Sequence, residues 1–167
     1  MAPMDYEDIL HRLPDVDAAG DGDHSALRED LAYILSSLSR LFFSTYYINI
    51  AHDTFRPVTQ LRRVEDVLGG EVNCTAAMGI YAQHFIHPDD RAEYLRVMNV
   101  ENLRQQLRWW QPPVAVEYRK QGDEPGTWSW VRATAVLARA GADDLPLTAV
   151  YVAQDIDAGR RCPVEVP

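Results

Sequence analysis

The chain has 167 residues, 47% of them apolar, enough for one domain with its own core. Of its net charge of −9, most sits in residues 1–30, where Asp5, Glu7, Asp8, Asp15, Asp17, Asp21, Asp23, Glu29 and Asp30 face only Arg12 and Arg28. An acidic leader disfavours nucleic acid as a partner. No apolar run has the length of a membrane span, and the acidic opening is no signal peptide, so the expected setting is cytoplasmic. Cys74 and Cys162 are isolated from each other and from any Cys-x-x-Cys pair, so neither zinc nor a disulfide is expected.

Taken in chain order, Tyr6, Ile9, Leu10 and Leu13 fall at helical spacing in a segment too short to be stable alone. Residues 14–23, PDVDAAGDGD, have the composition of a linker, and 1–24 reads as an acidic leader. Over 25–41 the residues Leu27, Leu31, Ile34, Leu35, Leu38 and Leu41 recur at steps of three and four. They form an amphipathic helix flanking the domain, with Asp23 or Ser25 as its cap. The domain proper covers 42–158 and a tail 159–167.

LFFSTYYINI (41–50) and TFRPVTQL (54–61) are β-branched and aromatic, and the AHD between them makes an antiparallel hairpin. Gly69-Gly70 breaks the chain before a helix from Cys74 to Phe85. Pro88 opens a longer helix with Leu95, Met98, Leu103 and Leu107 along one line and a kink near Asn99 and Asn102, closed by Pro112-Pro113. Strands over 114–121, 127–139 and 145–157 follow, joined by GDEPG and AGADD turns.

Alternation along these strands predicts two apolar faces. One carries Val114, Val116, Tyr118, Trp128, Trp130, Val136, Val150 and Val152; the other carries Ala115, Glu117, Val131, Ala133, Ala135, Leu137, Ala149, Tyr151 and Ala153. Both then need a cover. The middle helices cover the alanine-rich face, while the flanking helix, in the same chain or across a homodimer, covers the other. This makes Leu31, Leu35, Leu38, Trp128, Trp130, Val150 and Val152 the expected interface.

His84, His87, Asp89 and Asp90 are acid-base and metal-ligand types. Pro88, however, stands where a helix begins, and the two aspartates then fall in the first turn, complementing the helix dipole. The segment is read as a helix start, with no metal and no catalytic residue.

Phe85-Ile86-His87-Pro88-Asp89-Asp90-Arg91 resembles the helix-start motif of PAS sensor domains of the PAS-fold-3 type. Val116-Glu117-Tyr118-Arg119, Trp130-Val131 and the closing Asp155-Ile156-Asp157 resemble, in order, the three C-terminal strands of that fold. Tyr46-Tyr47-Ile48-Asn49-Ile50 and Val100-Glu101-Asn102-Leu103 are similar to the PAS modules of bacterial diguanylate cyclases and sensor histidine kinases. The likeness covers residues 41–161. It implies an α+β fold with a five-stranded antiparallel sheet in order 2-1-5-4-3 and helices between strands two and three, preceded by the amphipathic helix. It also implies a non-catalytic sensor or interaction module of a bacterial signalling protein, with flanking helices that link pocket state to dimer geometry.

No Gly-Gly-Asp-Glu-Phe motif, phosphoacceptor box or nucleotide-binding glycine loop occurs in the chain, so any output activity would lie outside it. Whether it is a free-standing sensor or a fragment stays open, as do the signal and the partner. The resemblance places a small-molecule pocket on the alanine-rich face, with Tyr47, Asn49, Phe85, Glu117, Val131, Ala133 and Tyr151 as lining candidates. Neither flavin nor haem is expected: the residues after Asn73-Cys74 lack the light-sensing pattern, and a histidine ligand would have to leave the helix start. Two alternatives stand beside this reading. One is a small α+β enzyme using His84, His87, Asp89 and Glu117; the other is a purely structural dimerisation module.

Overall fold

The computed structural model describes residues 23–157. The short leader pattern, most of the linker, and the tail with Cys162 lie outside the described residues. Five strands, β1 (Ser44–Asn49), β2 (Thr54–Thr59), β3 (Val114–Gln121), β4 (Trp128–Ala140) and β5 (Pro146–Asp155), form one antiparallel sheet in the order β2-β1-β5-β4-β3. A helix, α1 (Asp23–Leu38), precedes it. Between β2 and β3 run α2 (Arg62–Leu68), α3 (Cys74–Phe85), α4 (Pro88–Met98) and α5 (Val100–Gln106).

The single long helix expected after Pro88 is two helices. Asn99 ends α4 in an extended conformation (ψ 151°), and its side-chain oxygen accepts the Asn102 N–H at 2.8 Å, capping α5. Helix α2 was not legible: of RRVEDVL only Val64 is buried, too few apolar residues for a helical period.

Val116 and Tyr118 of β3, Val131, Ala133, Ala135 and Leu137 of β4, and Ala149, Tyr151 and Ala153 of β5 are all buried. They share a core with Tyr94 and Met98 of α4 and Leu103 of α5. Within β4 and β5 the expected alternation holds, but β3 is inverted relative to it. Tyr118 pairs with Val131 and Glu117 with Arg132, so Val116 and Tyr118 turn inward while Ala115 and Glu117 turn outward. Alternation fixes faces within a strand, whereas the hairpin register fixes them between strands, and a slip of one residue exchanges the faces. The outer face is therefore mixed: it carries the Glu117–Arg132 ion pair and Arg119 beside Trp130, Val150 and Val152.

Strand β3 is an edge, and the start of α4 covers it. Ile86 forms an antiparallel bridge with Lys120, and the His87 N–H donates to the Arg119 carbonyl at 2.9 Å. His87 is the N-cap of α4, its Nδ1 accepting the Asp89 N–H at 3.2 Å, with Pro88 directly after it. Asp90 then reaches across. Its Oδ2 accepts the Arg119 backbone N–H at 2.9 Å and Nε at 2.8 Å, while Oδ1 accepts Nη2 at 2.8 Å. The motif is thus a clamp between a helix start and a sheet edge.

The Arg119 guanidinium holds the Asp90 carboxyl below its ordinary range. A depressed carboxyl contributes stability above its unfolded pKa and loses it as the pH falls through the folded value. Asp90→Ala is expected to cost about 2 kcal/mol by denaturant titration at pH 7, typical of hydrogen bonds to a charged group, with the difference from the parent shrinking in acid.

Candidate tyrosine-lined cavity

A cavity of about 50 Å³ lies between the inner sheet face and the helices. Its sheet wall is made by Ser44, Tyr46 and Ile48 of β1, Phe55 of β2, and Tyr151 and Ala153 of β5. Its helical wall is Leu68, then Cys74, Ala77, Met78 and Tyr81 of α3, and Tyr94 of α4. The four α3 residues fall at i, i+3, i+4 and i+7, one stripe of a helix.

The start of α3 is fixed by the β1–β2 turn. Asp53, in a left-handed conformation (φ 52°), accepts the Thr75 N–H and hydroxyl on Oδ1, both at 2.9 Å, and Asn73 Nδ2 on Oδ2 at 3.1 Å. Its carbonyl accepts the Cys74 N–H at 2.9 Å, and Asn73 caps the helix through the Ala76 N–H at 2.8 Å. A hairpin turn on the sheet thereby sets where Cys74 and Met78 enter the wall.

The polar content of the cavity comes from tyrosines. The hydroxyls of Tyr81 (α3) and Tyr118 (β3) are 2.9 Å apart, and those of Tyr94 (α4) and Tyr151 (β5) are 3.1 Å apart. Each pair joins a helix to the sheet. The rings meet edge-on, Tyr94 and Tyr118 at 5.0 Å between centroids and Tyr46 and Tyr151 at 5.8 Å. Burial raises all four hydroxyl pKa values, that of Tyr151 to about 12, so the hydroxyls stay neutral. Burial likewise pushes the Cys74 thiol up to about 12, which keeps it protonated and unreactive.

Of the expected lining residues, Tyr151 lies on the cavity, and Phe85, Val131 and Ala133 are buried in the core beside it. Tyr47, Asn49 and Glu117 do not face it. The Tyr47 hydroxyl donates to Thr148 Oγ1 at 3.0 Å, with the Arg56 guanidinium 5.4 Å from its ring centre. Asn49 Oδ1 accepts the His52 N–H at 3.1 Å, and Glu117 accepts Arg132 Nη2 at 2.6 Å. The reason is the parity of β1 and β3: Tyr46, Ile48 and Tyr118 take the inner positions. The lining residues missed include Ser44, Tyr46, Met78, Tyr81 and Tyr94, with Tyr118 paired to Tyr81 behind the wall, and the α3 stripe was the signal that could have found most of the helical wall.

His84, His87, Asp89 and Glu117 form no common site. His84 is exposed with Nδ1 2.9 Å from the Ile80 carbonyl, His87 caps α4, and Glu117 lies on the outer face. No group of three or more metal-ligating side chains occurs among the described residues. Of the expected interface, Leu31 and Leu38 are exposed and Leu35 half-buried; α1 buries Ala32 instead. Trp128 is exposed with the His87 ring 4.7 Å away, and Trp130, Val150 and Val152 are half-buried.

No protein-family model matches the sequence, and no curated protein matches it. Among solved structures, the chain is similar to an RNA-binding light-oxygen-voltage receptor at 20% identity, over 73% of this chain and 31% of that one, with a TM-score of 0.49. It therefore spans about a third of that receptor. It is similar to a sensory box histidine kinase/response regulator from Burkholderia thailandensis at 18% identity (77% and 87% covered, TM-score 0.45). It is also similar to the N-terminal domain of a diguanylate cyclase with a PAS/PAC sensor from Marinobacter aquaeolei at 16% identity (70% and 97%, TM-score 0.44). What decides the fold is the chain's own sheet, β2-β1-β5-β4-β3, with α2 to α5 inserted between β2 and β3. The domain has the PAS fold.

One ionisable group on the inner face of the sheet is absent from the sequence-based expectations. Lys120 is only 6% exposed, its Nζ 5.4 Å from the Phe43 ring centre and 5.9 Å from that of Phe85. Burial, reinforced by Arg63, lowers its pKa to about 8. A lysine depressed on folding weakens the fold while both states are protonated, and stability rises as the pH climbs from about 8 toward the ordinary value of 10.5. Lys120→Met is therefore expected to raise the denaturation midpoint at pH 7 and to abolish that rise. The buried tyrosines act in the opposite sense at higher pH: their raised pKa values contribute stability below pH 10 that is lost in stronger alkali. An alkaline absorbance titration should show these tyrosines ionising only as the domain unfolds.

Proposed function

We propose that this PAS domain is a non-catalytic sensory and interaction module of a bacterial signal-transduction protein. It takes up a small molecule in the tyrosine-lined cavity and passes its occupancy outward through α1 and the outer sheet face. The observation that carries the reading is the cavity itself, an apolar space with a few fixed polar groups between the sheet and helices α2, α3 and α4. The reading includes neither flavin nor haem: the cavity is small, at about 50 Å³, and His84 and His87 are engaged outside it. The competing reading, a purely structural dimerisation module, draws on the same small volume.

Signalling on this account needs α1 to have two placements that the ligand favours unequally. The exposed Leu31, Ile34, Leu38 and Leu41 would dock on the outer face of a second copy around Trp130, Val150 and Val152. Sedimentation should then show a homodimer that Leu31→Asp with Leu38→Asp converts to a monomer; an unchanged species would remove α1 from the interface. For the cavity, a thermal-shift screen of small metabolites should yield compounds that raise the melting temperature of the parent but not of Ala77→Leu, which fills the wall of α3. A screen without such compounds, with the protein folded, favours the scaffold.

A further inference from the structure

The number of hydroxyl protons in the cavity wall specifies the kind of molecule the cavity would hold, given that it is a ligand site as proposed above. Tyr81, Tyr94 and Tyr151 in the wall and Tyr118 behind it bring four linked O–H groups; Ser44 and Tyr46, whose hydroxyl donates to Gln60 Oε1 at 3.2 Å, also line the cavity. Two hydroxyl–hydroxyl bonds join the four in pairs. Each bond consumes one proton, so however the hydroxyls rotate, at least one proton has no tyrosine to receive it. The sulfur of Cys74 makes no hydrogen bond with any of them.

A buried donor without an acceptor is costly. Tyr118 is wholly enclosed, whereas Tyr81, Tyr94 and Tyr151 line the cavity, so the spare proton is satisfied at least cost from one of these three by an acceptor inside it. Around that donor the wall is mostly apolar, from Ile48, Phe55, Leu68, Met78 and Ala153, with Ser44 as a further hydroxyl. Among the described residues no lysine, arginine or histidine belongs to the wall. The nearby Arg63 donates its guanidinium to the Gly122 and Gln121 carbonyls at 2.8 and 2.5 Å. Arg63 Nε keeps no partner among the described residues, but it stands outside the wall, so a carboxylate or phosphate would enter without a cationic side chain in direct contact.

We infer that the cavity selects a small uncharged molecule with an apolar body and one hydrogen-bond acceptor, of the carbonyl type, held by a tyrosine hydroxyl. At about 50 Å³ the space holds a handful of non-hydrogen atoms.

Three probes of matched shape test this: 2-butanone, 2-methyl-1-butene with a methylene in place of the oxygen, and propionate. Each is titrated at millimolar concentration into ¹⁵N-labelled full-length protein while the amide signals of α3 and β5 are followed. The expected result is saturable binding of 2-butanone about tenfold tighter than the alkene, with no binding of propionate. In Tyr81→Phe/Tyr94→Phe/Tyr151→Phe the advantage of the ketone over the alkene should vanish while the alkene still binds. If this variant does not fold, the comparison of probes on the parent protein decides alone. Alkene binding as tight as the ketone leaves the ligand site standing and overturns the acceptor. Preferential binding of propionate overturns the requirement for an uncharged ligand. Binding of none of the three overturns both the inference and the cavity as a ligand site.

Discussion

Two layers of this domain are held at a fixed distance by two pairs of tyrosine hydroxyls. Tyr81 and Tyr94 come from helices, Tyr118 and Tyr151 from strands, and each hydroxyl finds its partner in the opposite layer. An unpaired hydroxyl there would carry a desolvation cost of about 1–3 kcal/mol, so neither helix can slide along the sheet without losing its match. The sheet makes room for these rings by being small where they are large. Ala133, Ala135, Ala149 and Ala153 occupy the inner face of β4 and β5, all at 1% exposure or less. Rings spanning the layers above such residues leave a gap beside Ala153, and that gap is the cavity.

The same spacing needs support from outside the core, and it comes from two aspartates. Asp53 ties the β1–β2 turn to the start of α3; Asp90 ties the start of α4 to the edge strand β3. Both place a helix N-terminus against the sheet with a carboxylate, which the positive end of the helix dipole favours. The two helices that furnish Tyr81 and Tyr94 are thus positioned at their first turns by the strands they cover. Arg119 joins this scaffold to the outer face, since the guanidinium that binds Asp90 also lies 5.6 Å from the centre of the Trp130 ring. A change in α4 placement has a direct route to the surface on which a second copy would dock.

The sequence carried the order and type of most elements because their signals are local. Pro88 with Asp89 and Asp90 at the start of α4, Gly69-Gly70 before α3, and alternation in β3, β4 and β5 each act within a few residues. What could not be read depended on pairing across distance. The face of Glu117 is set by its partner Arg132, fifteen positions away, through the register of a hairpin whose loop gives no parity. Tyr46 and Tyr47 are equally plausible inward residues until β5 is laid beside them. The partner of Asp90, Arg119, lies across 29 positions, and nothing local to either motif pairs them. Helix α2, with Val64 as its only buried residue, is helical because of where the chain must travel between β2 and α3, not because of its own period.

The account rests on a real space kept open by paired tyrosines. The most direct measurement is a crystal structure of the protein under xenon pressure, since xenon enters dry apolar cavities of sufficient size. The account predicts a xenon site between Met78 and Tyr151, with the Tyr81–Tyr118 and Tyr94–Tyr151 oxygens within hydrogen-bonding distance of each other. A core with no xenon site, with α3 collapsed onto β5 and the hydroxyl pairs separated, would contradict it.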